Sequence, residues 1–324
     1  MPTSKLSVNR AALRLVDKLC ANPDEYGIIV EEAKNGATLI DAGIKAKGGF
    51  QAGKIITEIC LGGLGEVQLC PAQYSDVILS SVFVHTNHPA ISTMGSQFAD
   101  WQIKKGDFTA IGSGPARALA KKDPELYGRI DYEDESDATI LVLETGTKPP
   151  EAVVQEIAED CRVSASKLSL ILVPTTSVAG STQVSGRIVE TGLHKLMKLG
   201  LDPKKVSNAF GFAPIAPVHP KFVAAMGRTN DAILYAGIAH YDVFGASDDE
   251  LSRIIERGPS CASKAYGQPF QQVFKNANYD FYKIDANLFA PAVISVCNLD
   301  TGSVFNAGKI NIEVFKRSIN LKTL

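Results

Sequence analysis

Arg187 and Glu190 stand three residues apart in the stretch Ser185-Gly186-Arg187-Ile188-Val189-Glu190-Thr191-Gly192. A carboxylate beside a guanidinium can be tuned to take up and return a proton. Ile188, Leu193, Leu196 and Met197 recur near helical spacing, so the stretch predicts the start of a helix. Residues three apart on a helix are neighbours, which would set Arg187 and Glu190 side by side near its first turns. Spacing alone also describes an ordinary helix-face ion pair, and such pairs are common and weak. His194, one turn beyond Glu190, could complete a proton relay or simply partner the helix surface.

The elements that must position this pair begin with an apolar run, Leu168 to Val173, which reads as a buried strand. It ends at Pro174 and opens into a small polar loop, Thr175 to Thr182. A second strand-loop-helix runs from Phe108-Thr109-Ala110-Ile111 through Gly112-Ser113-Gly114-Pro115-Ala116-Arg117. There Ser113 is expected to cap the helix and Pro115 to occupy its first turn. The loop could cradle an anion, with Arg117 adding donors, or be a tight turn. It lacks the Gly-Lys-Ser/Thr ending of a P-loop, which argues against nucleotide hydrolysis. A third apolar strand, Ala138 to Leu143, ends at Glu144, and Pro149-Pro150 opens an amphipathic helix with Val153, Val154, Ile157 and Ala158.

Ser7 is a plausible cap for an amphipathic N-terminal helix, one face of which is marked by Val8, Ala12, Leu15 and Leu19. Asn35-Gly36 between two short apolar runs predicts a hairpin, as does Asp300-Thr301-Gly302 near the C-terminus. Val77 to Val84 reads as a strand. The proline-rich run Ala213 to Pro220, which includes His219, must be loop or edge. Asp280 to Asp285 mixes aromatic and charged residues, and could floor an aromatic ligand or form an aromatic strand pair.

Of the 324 residues, 45% are hydrophobic and 21% charged, with a formal charge of −2. That balance suits a soluble globular protein and argues against a nucleic-acid binder. It also shows no sign of salt adaptation or of hyperthermophile ion-pair networks, tilting the source towards a mesophile. No apolar run reaches the roughly eighteen residues of a bilayer span, and no signal peptide is visible, so a cytoplasmic location is expected. The six cysteines form no CxxC or zinc-like pairing and are expected to be reduced. His85 and His88 are spaced as H-x-x-H without a third ligand at a fixed offset, so no metal is expected. Two echoes hint at a duplication: Phe50 to Ile55 against Phe305 to Ile310, and Gly112-Ser113 against Gly180-Ser181. No low-complexity linker divides the chain, so residues 1–324 are expected to form one unit with any two domains interleaved.

Taken together, these stretches resemble the methenyltetrahydromethanopterin cyclohydrolase family. The similarity runs from Leu6-Ser7-Val8-Asn9 to about Arg317. It is carried by His88-Pro89-Ala90-Ile91, Gly95-Ser96-Gln97, Gly112 to Ala120, Ser185 to Gly192, Ala213 to Pro220, Thr229-Asn230-Asp231, Asp280 to Asp285 and Phe289-Ala290-Pro291-Ala292. The resemblance implies an α/β (α+β) subunit of two intertwined repeats, forming two subdomains with a pterin cleft between them, in a homotrimer. It implies an enzyme of one-carbon metabolism, for which methylotrophy is the expected setting. Water would open the methenyl bridge of a tetrahydromethanopterin derivative, the substrate, with no permanently bound cofactor. Glu190 would take a proton from the attacking water and return it to the departing nitrogen, with Arg187 favouring and orienting the carboxylate. Glu144 would bind pterin or handle protons. Gly95, Ser96, Gln97, Ser113, Gly114, Arg117, Ser185 and Tyr282 would line the pterin or its tail. Phe98 stands where some relatives carry lysine, so a tail contact made by that lysine must come from elsewhere. A non-catalytic pterin carrier and a phosphotransferase using the Gly112 loop are the rival readings.

Overall fold

A computed structural model describes residues 6–322, the side chain of Tyr282 excepted. Helices α1 (Val8–Ala21) and α2 (Pro23–Tyr26) lead into strands β1 (Ile29–Glu32) and β2 (Thr38–Asp41), then helix α3 (Phe50–Cys60). Strands β3 (Gly65–Tyr74) and β4 (Val77–Thr86) follow, then a π-helical segment, Ala90–Gln97. Next come β5 (Trp101–Lys105), β6 (Phe108–Ser113), α4 (Ala116–Ala120), α5 (Pro124–Ile130), β7 (Thr139–Glu144), α6 (Glu151–Asp160) and β8 (Leu168–Leu172). Helices α7 (Val178–Ser185) and α8 (Ile188–Lys198) precede β9 (Val206–Pro214), α9 (Phe222–Ala236), β10 (Ile238–Val243), α10 (Asp248–Glu256) and α11 (Phe270–Asn276). The chain closes with β11 (Val293–Asn298), β12 (Val304–Gly308) and α12 (Ile312–Ser318).

These elements form two compact units, one of residues 1–66 and 90–180, the other of residues 67–89 and 181–324. The first carries a six-stranded sheet in the order β1-β2-β8-β7-β6-β5. Its centre, β2-β8-β7, is parallel, and both flanks are antiparallel. Parallel strands covered on both faces read as continuous apolar runs, which is why β7 and β8 stand out in the sequence. Successive side chains leave by opposite faces. Ile40, Ile140, Val142, Ile171 and Val173 therefore pack under α1 and α3, while Leu39, Leu141, Leu143, Leu170 and Leu172 pack under α6.

The second unit carries a six-stranded sheet in the order β12-β11-β10-β9-β4-β3, with β10 and β11 parallel and the β12–β11, β10–β9 and β9–β4 pairs antiparallel. Helix α8 packs on β9, β10 and β4. The mixed α/β class and both predicted hairpins are observed, as is the Ser7 cap, whose Oγ accepts from the Arg10 N–H at 3.1 Å.

Several expectations fail. Ser113 closes β6, and the α4 cap position is held instead by Pro115, which offers no side-chain bond. Phe281–Lys283 is a 3₁₀ turn, not an aromatic strand. Neither echo is structural: Phe50 opens a helix while Phe305 lies in a strand, and Gly112 is in a strand while Gly180 is inside α7.

Candidate active site

The polar stretch after β8 is a helix, not the expected loop, from Val178 onwards. Ser177 starts it: its Oγ accepts from the Gly180 N–H at 3.0 Å and donates to the Pro174 carbonyl. Its small residues serve as anchors. Ser181 Oγ donates to the Ala216 carbonyl at 2.6 Å and Ser185 Oγ to the Pro214 carbonyl at 2.8 Å, fastening α7 to the end of β9 and the run that follows it. Ser185, read as a ligand contact, is thus fully buried and employed in this anchoring.

Helix α8 begins after a break at Gly186, with Arg187 as its cap residue rather than inside its first turn. Arg187 Nη1 lies 3.8 Å from Glu190 Oε2, and both side chains are buried, with 10% and 8% of their surface exposed. At 3.8 Å the charges attract but this contact is too long for a hydrogen bond. The other end of the guanidinium donates from Nη2 to Gln183 Oε1 at 3.1 Å. Gln183, on α7, escaped the sequence reading because it lay beyond the supposed loop with no charge to mark it.

The position of Glu190 depends on how closely α8 can approach β10. Tyr241 donates from its phenol to the Val189 carbonyl at 2.8 Å. A Cβ on Gly192 would stand 2.1 Å from that phenol oxygen, so only glycine admits the contact. Burial, with the Glu190 charge adding to it, pushes the Tyr241 phenol well above its ordinary pKa, so it remains a donor. Ile188 fills the space left by Gly211 and Gly237. His194 lies half-buried one turn past Glu190.

In the first unit, β2, β8 and β7 end side by side, and ligands of open α/β sheets bind at the carboxyl ends of strands. Glu144 closes β7, and Thr175, just past β8, donates from Oγ1 to Glu144 Oε1. Asp41 closes β2 and accepts from the N–H groups of Gly43, Ile44, Lys45 and Ala46 at 2.7–3.2 Å. Burial opposes its ionisation, but those four donors outweigh it and lower the carboxyl pKa.

The two glycine-serine motifs meet in this unit. Gly114 N–H donates to the Ser96 carbonyl at 2.9 Å, Tyr127 Oη to the Gly95 carbonyl at 2.8 Å, and Ser96 Oγ to the Cys60 carbonyl at 2.7 Å. Gln97 is buried in the same segment, and Ser113 Oγ lies 3.7 Å from Cys60 Sγ. Arg117 is 1% exposed and grips Asp100 through Nε and Nη2, with Nη1 on the Met94 carbonyl at 2.8 Å. Its guanidinium thus braces residues 94–100. Phe98 lies with its ring centroid 5.5 Å from that guanidinium, where a lysine would repel it.

The Tyr282 side chain lies outside the described residues. His85 sits beside Phe83 on β4, while His88 is exposed on the turn after it. His219 Nδ1 accepts from the Lys221 N–H. Among the described residues no cluster of three His, Cys, Asp or Glu side chains could hold a metal ion, and no helix is long and apolar enough to cross a membrane.

The family model for the cyclohydrolase MCH matches residues 7–319. The methenyltetrahydromethanopterin cyclohydrolase of Methanocaldococcus jannaschii is 46% identical over 317 residues, covering 97% of this chain and 98% of its own. That of Methanothermobacter marburgensis is 46% identical over 319 residues, covering 98% of this chain and all of its own. That of Methanobrevibacter smithii is 44% identical over 320 residues, covering 98% and 99%. With the family model matching nearly the whole chain and similarity of this extent over its full length, the chain belongs to the methenyltetrahydromethanopterin cyclohydrolase family.

Proposed function

We propose that this enzyme opens the methenyl bridge of 5,10-methenyltetrahydromethanopterin with water, giving the 5-formyl pterin, and that Glu190 moves the proton. The methenyl carbon lies between two nitrogens that share a positive charge. It is electrophilic by itself and lacks only a positioned nucleophile. Water adds to that carbon as Glu190 takes one of its protons. Glu190 then gives the proton to the departing nitrogen. The carbon–nitrogen bond breaks, the hydroxyl of the adduct becomes the formyl oxygen, and its proton leaves to solvent.

The observation that carries this reading is the buried contact of Arg187 with Glu190. A guanidinium at this distance favours the carboxylate form and offsets its charge, discouraging a dead-end pair with the cationic substrate. Glu144, already accepting from Thr175, is assigned to pterin hydrogen bonding or proton handling. Gly95, Ser96, Gln97, Ser113 and Gly114 are assigned to the pterin or its tail, with Arg117 acting through them. Tyr282 remains a proposed contact on family resemblance alone. No permanently bound cofactor is needed, because the substrate carries its own activating charge. The proposed assembly is a homotrimer working in the cytoplasm.

The test is Glu190→Gln, assayed by loss of the methenyl absorbance. Turnover should fall by roughly 10²–10⁴-fold while pterin binding is retained, as expected for loss of a general acid–base. A variant that turns over at the parent rate would remove Glu190 from the mechanism. Retained binding without any parent activity would favour the carrier.

A further inference from the structure

Gln183 is 1% exposed, and the two heteroatoms of its amide are treated unequally. Its Oε1 accepts from Arg187 Nη2 at 3.1 Å, whereas its Nε2 has no hydrogen-bond partner among the described residues. The orientation is fixed by chemistry, because a guanidinium can only donate and must face the amide oxygen. A buried amide N–H without an acceptor carries a desolvation penalty that the fold leaves unmatched. Such a donor calls for an acceptor from outside the fold, a water or a bound molecule. Arg187 links this amide directly to Glu190, so an acceptor brought to Gln183 arrives beside the acid–base pair.

We propose that Gln183 is a further positioning residue for the reaction. Its carbonyl oxygen holds one end of the Arg187 guanidinium and so prevents the other end from closing fully on Glu190. Its free N–H donates to the oxygen that attacks the methenyl carbon and becomes the formyl oxygen. This rests on the reading of Glu190 as the base. Among the described residues, the groups near it include Arg187, Tyr241 from β10 and His194 one turn along α8. The buried positions of β4 and β9, the other strands under α8, hold no ionisable side chain, their polar groups being the hydroxyls of Ser81 and Thr86.

Two substitutions predict opposite movements of the acid limb in the pH profile of kcat for methenyl opening. Gln183→Met keeps the length but removes both polar atoms. The guanidinium then closes on Glu190, making the carboxylate less basic. The acid limb should move to lower pH and kcat should fall about 10–100-fold, the effect of losing a hydrogen bond to a charged group. KM for the methenyl substrate should change little, because that substrate has no formyl oxygen. Product inhibition by the formyl pterin should weaken by a similar factor. Gln183→Glu instead draws the guanidinium away from Glu190, and the acid limb should move to higher pH.

An unmoved acid limb in both variants, or displacement in the same direction, overturns the proposal even if kcat falls. Should Gln183→Met fail to fold, the sign of the Gln183→Glu displacement decides. The Glu190→Gln result is independent of Gln183, so failure of the general-base reading is recognised separately.

Discussion

A carboxyl group shut away from water resists ionising unless donors replace the lost solvent, and two aspartates here fall on either side of that balance. Asp41 has four backbone donors and is held below the ordinary carboxyl range. Asp231, fully buried on α9, accepts from the Phe270 N–H at 2.9 Å and from Ser318 Oγ, and these do not compensate. Burial raises its pKa to about 7. The folded protein therefore binds a proton at Asp231 that the unfolded chain has lost. That contribution to stability is full below about pH 4 and disappears as pH rises through about 7. It amounts to on the order of 4 kcal/mol, and Asp231→Asn should abolish it. Urea unfolding of parent and variant from pH 4 to 8 measures this; a constant difference between them would refute the raised pKa. The Arg187–Glu190 pair was readable from spacing because a helix makes neighbours of residues three apart. The contacts of Glu144 with Thr175 and of Asp231 with Ser318 join residues far apart in the chain, which no local pattern encodes.

At the scale of elements, strands and tight turns announced themselves and small-residue helices did not. The parallel strands β7 and β8 are apolar on both faces, and Gly36 lies in the left-handed region, with φ 86°, inside its hairpin. Helix α7 sets one Ala and one Gln among Gly, Ser, Thr and Val, types that form helix poorly by themselves. It is stabilised instead by Ser185 and Ser181 bonding to carbonyls at the end of β9 and just beyond it. The approach of α8 to β10 depends on Gly192. Gly192→Ala must push Tyr241 or the helix aside, and should destabilise the protein by about 1–3 kcal/mol. Turnover should fall with it, since Glu190 lies on the displaced helix. Thermal unfolding and initial rates check both effects, and a variant with parental Tm would mean the helix yields without strain.

For the whole molecule, one face of the second unit's sheet leaves aromatic rings uncovered. Phe210 is 41% exposed and stacks on His240 at 4.7 Å, with Phe83 at 5.9 Å. Exposed apolar patches mark association surfaces, and this one is our candidate for the proposed trimer contact. Sedimentation should give about three times 34.6 kDa for the parent and a smaller species for Phe210→Glu. A parent of single-chain mass excludes the trimer, and an intact Phe210→Glu trimer excludes this face. The chain also leaves the first unit after residue 66, returns at 90 and departs again after 180. On the ribosome, β3 and β4 therefore emerge long before β9, the strand that pairs with β4. A nascent hairpin must wait with an open edge while the other sheet is still being synthesised. Such an edge invites wrong partners, so a window of aggregation risk is built into the order of translation.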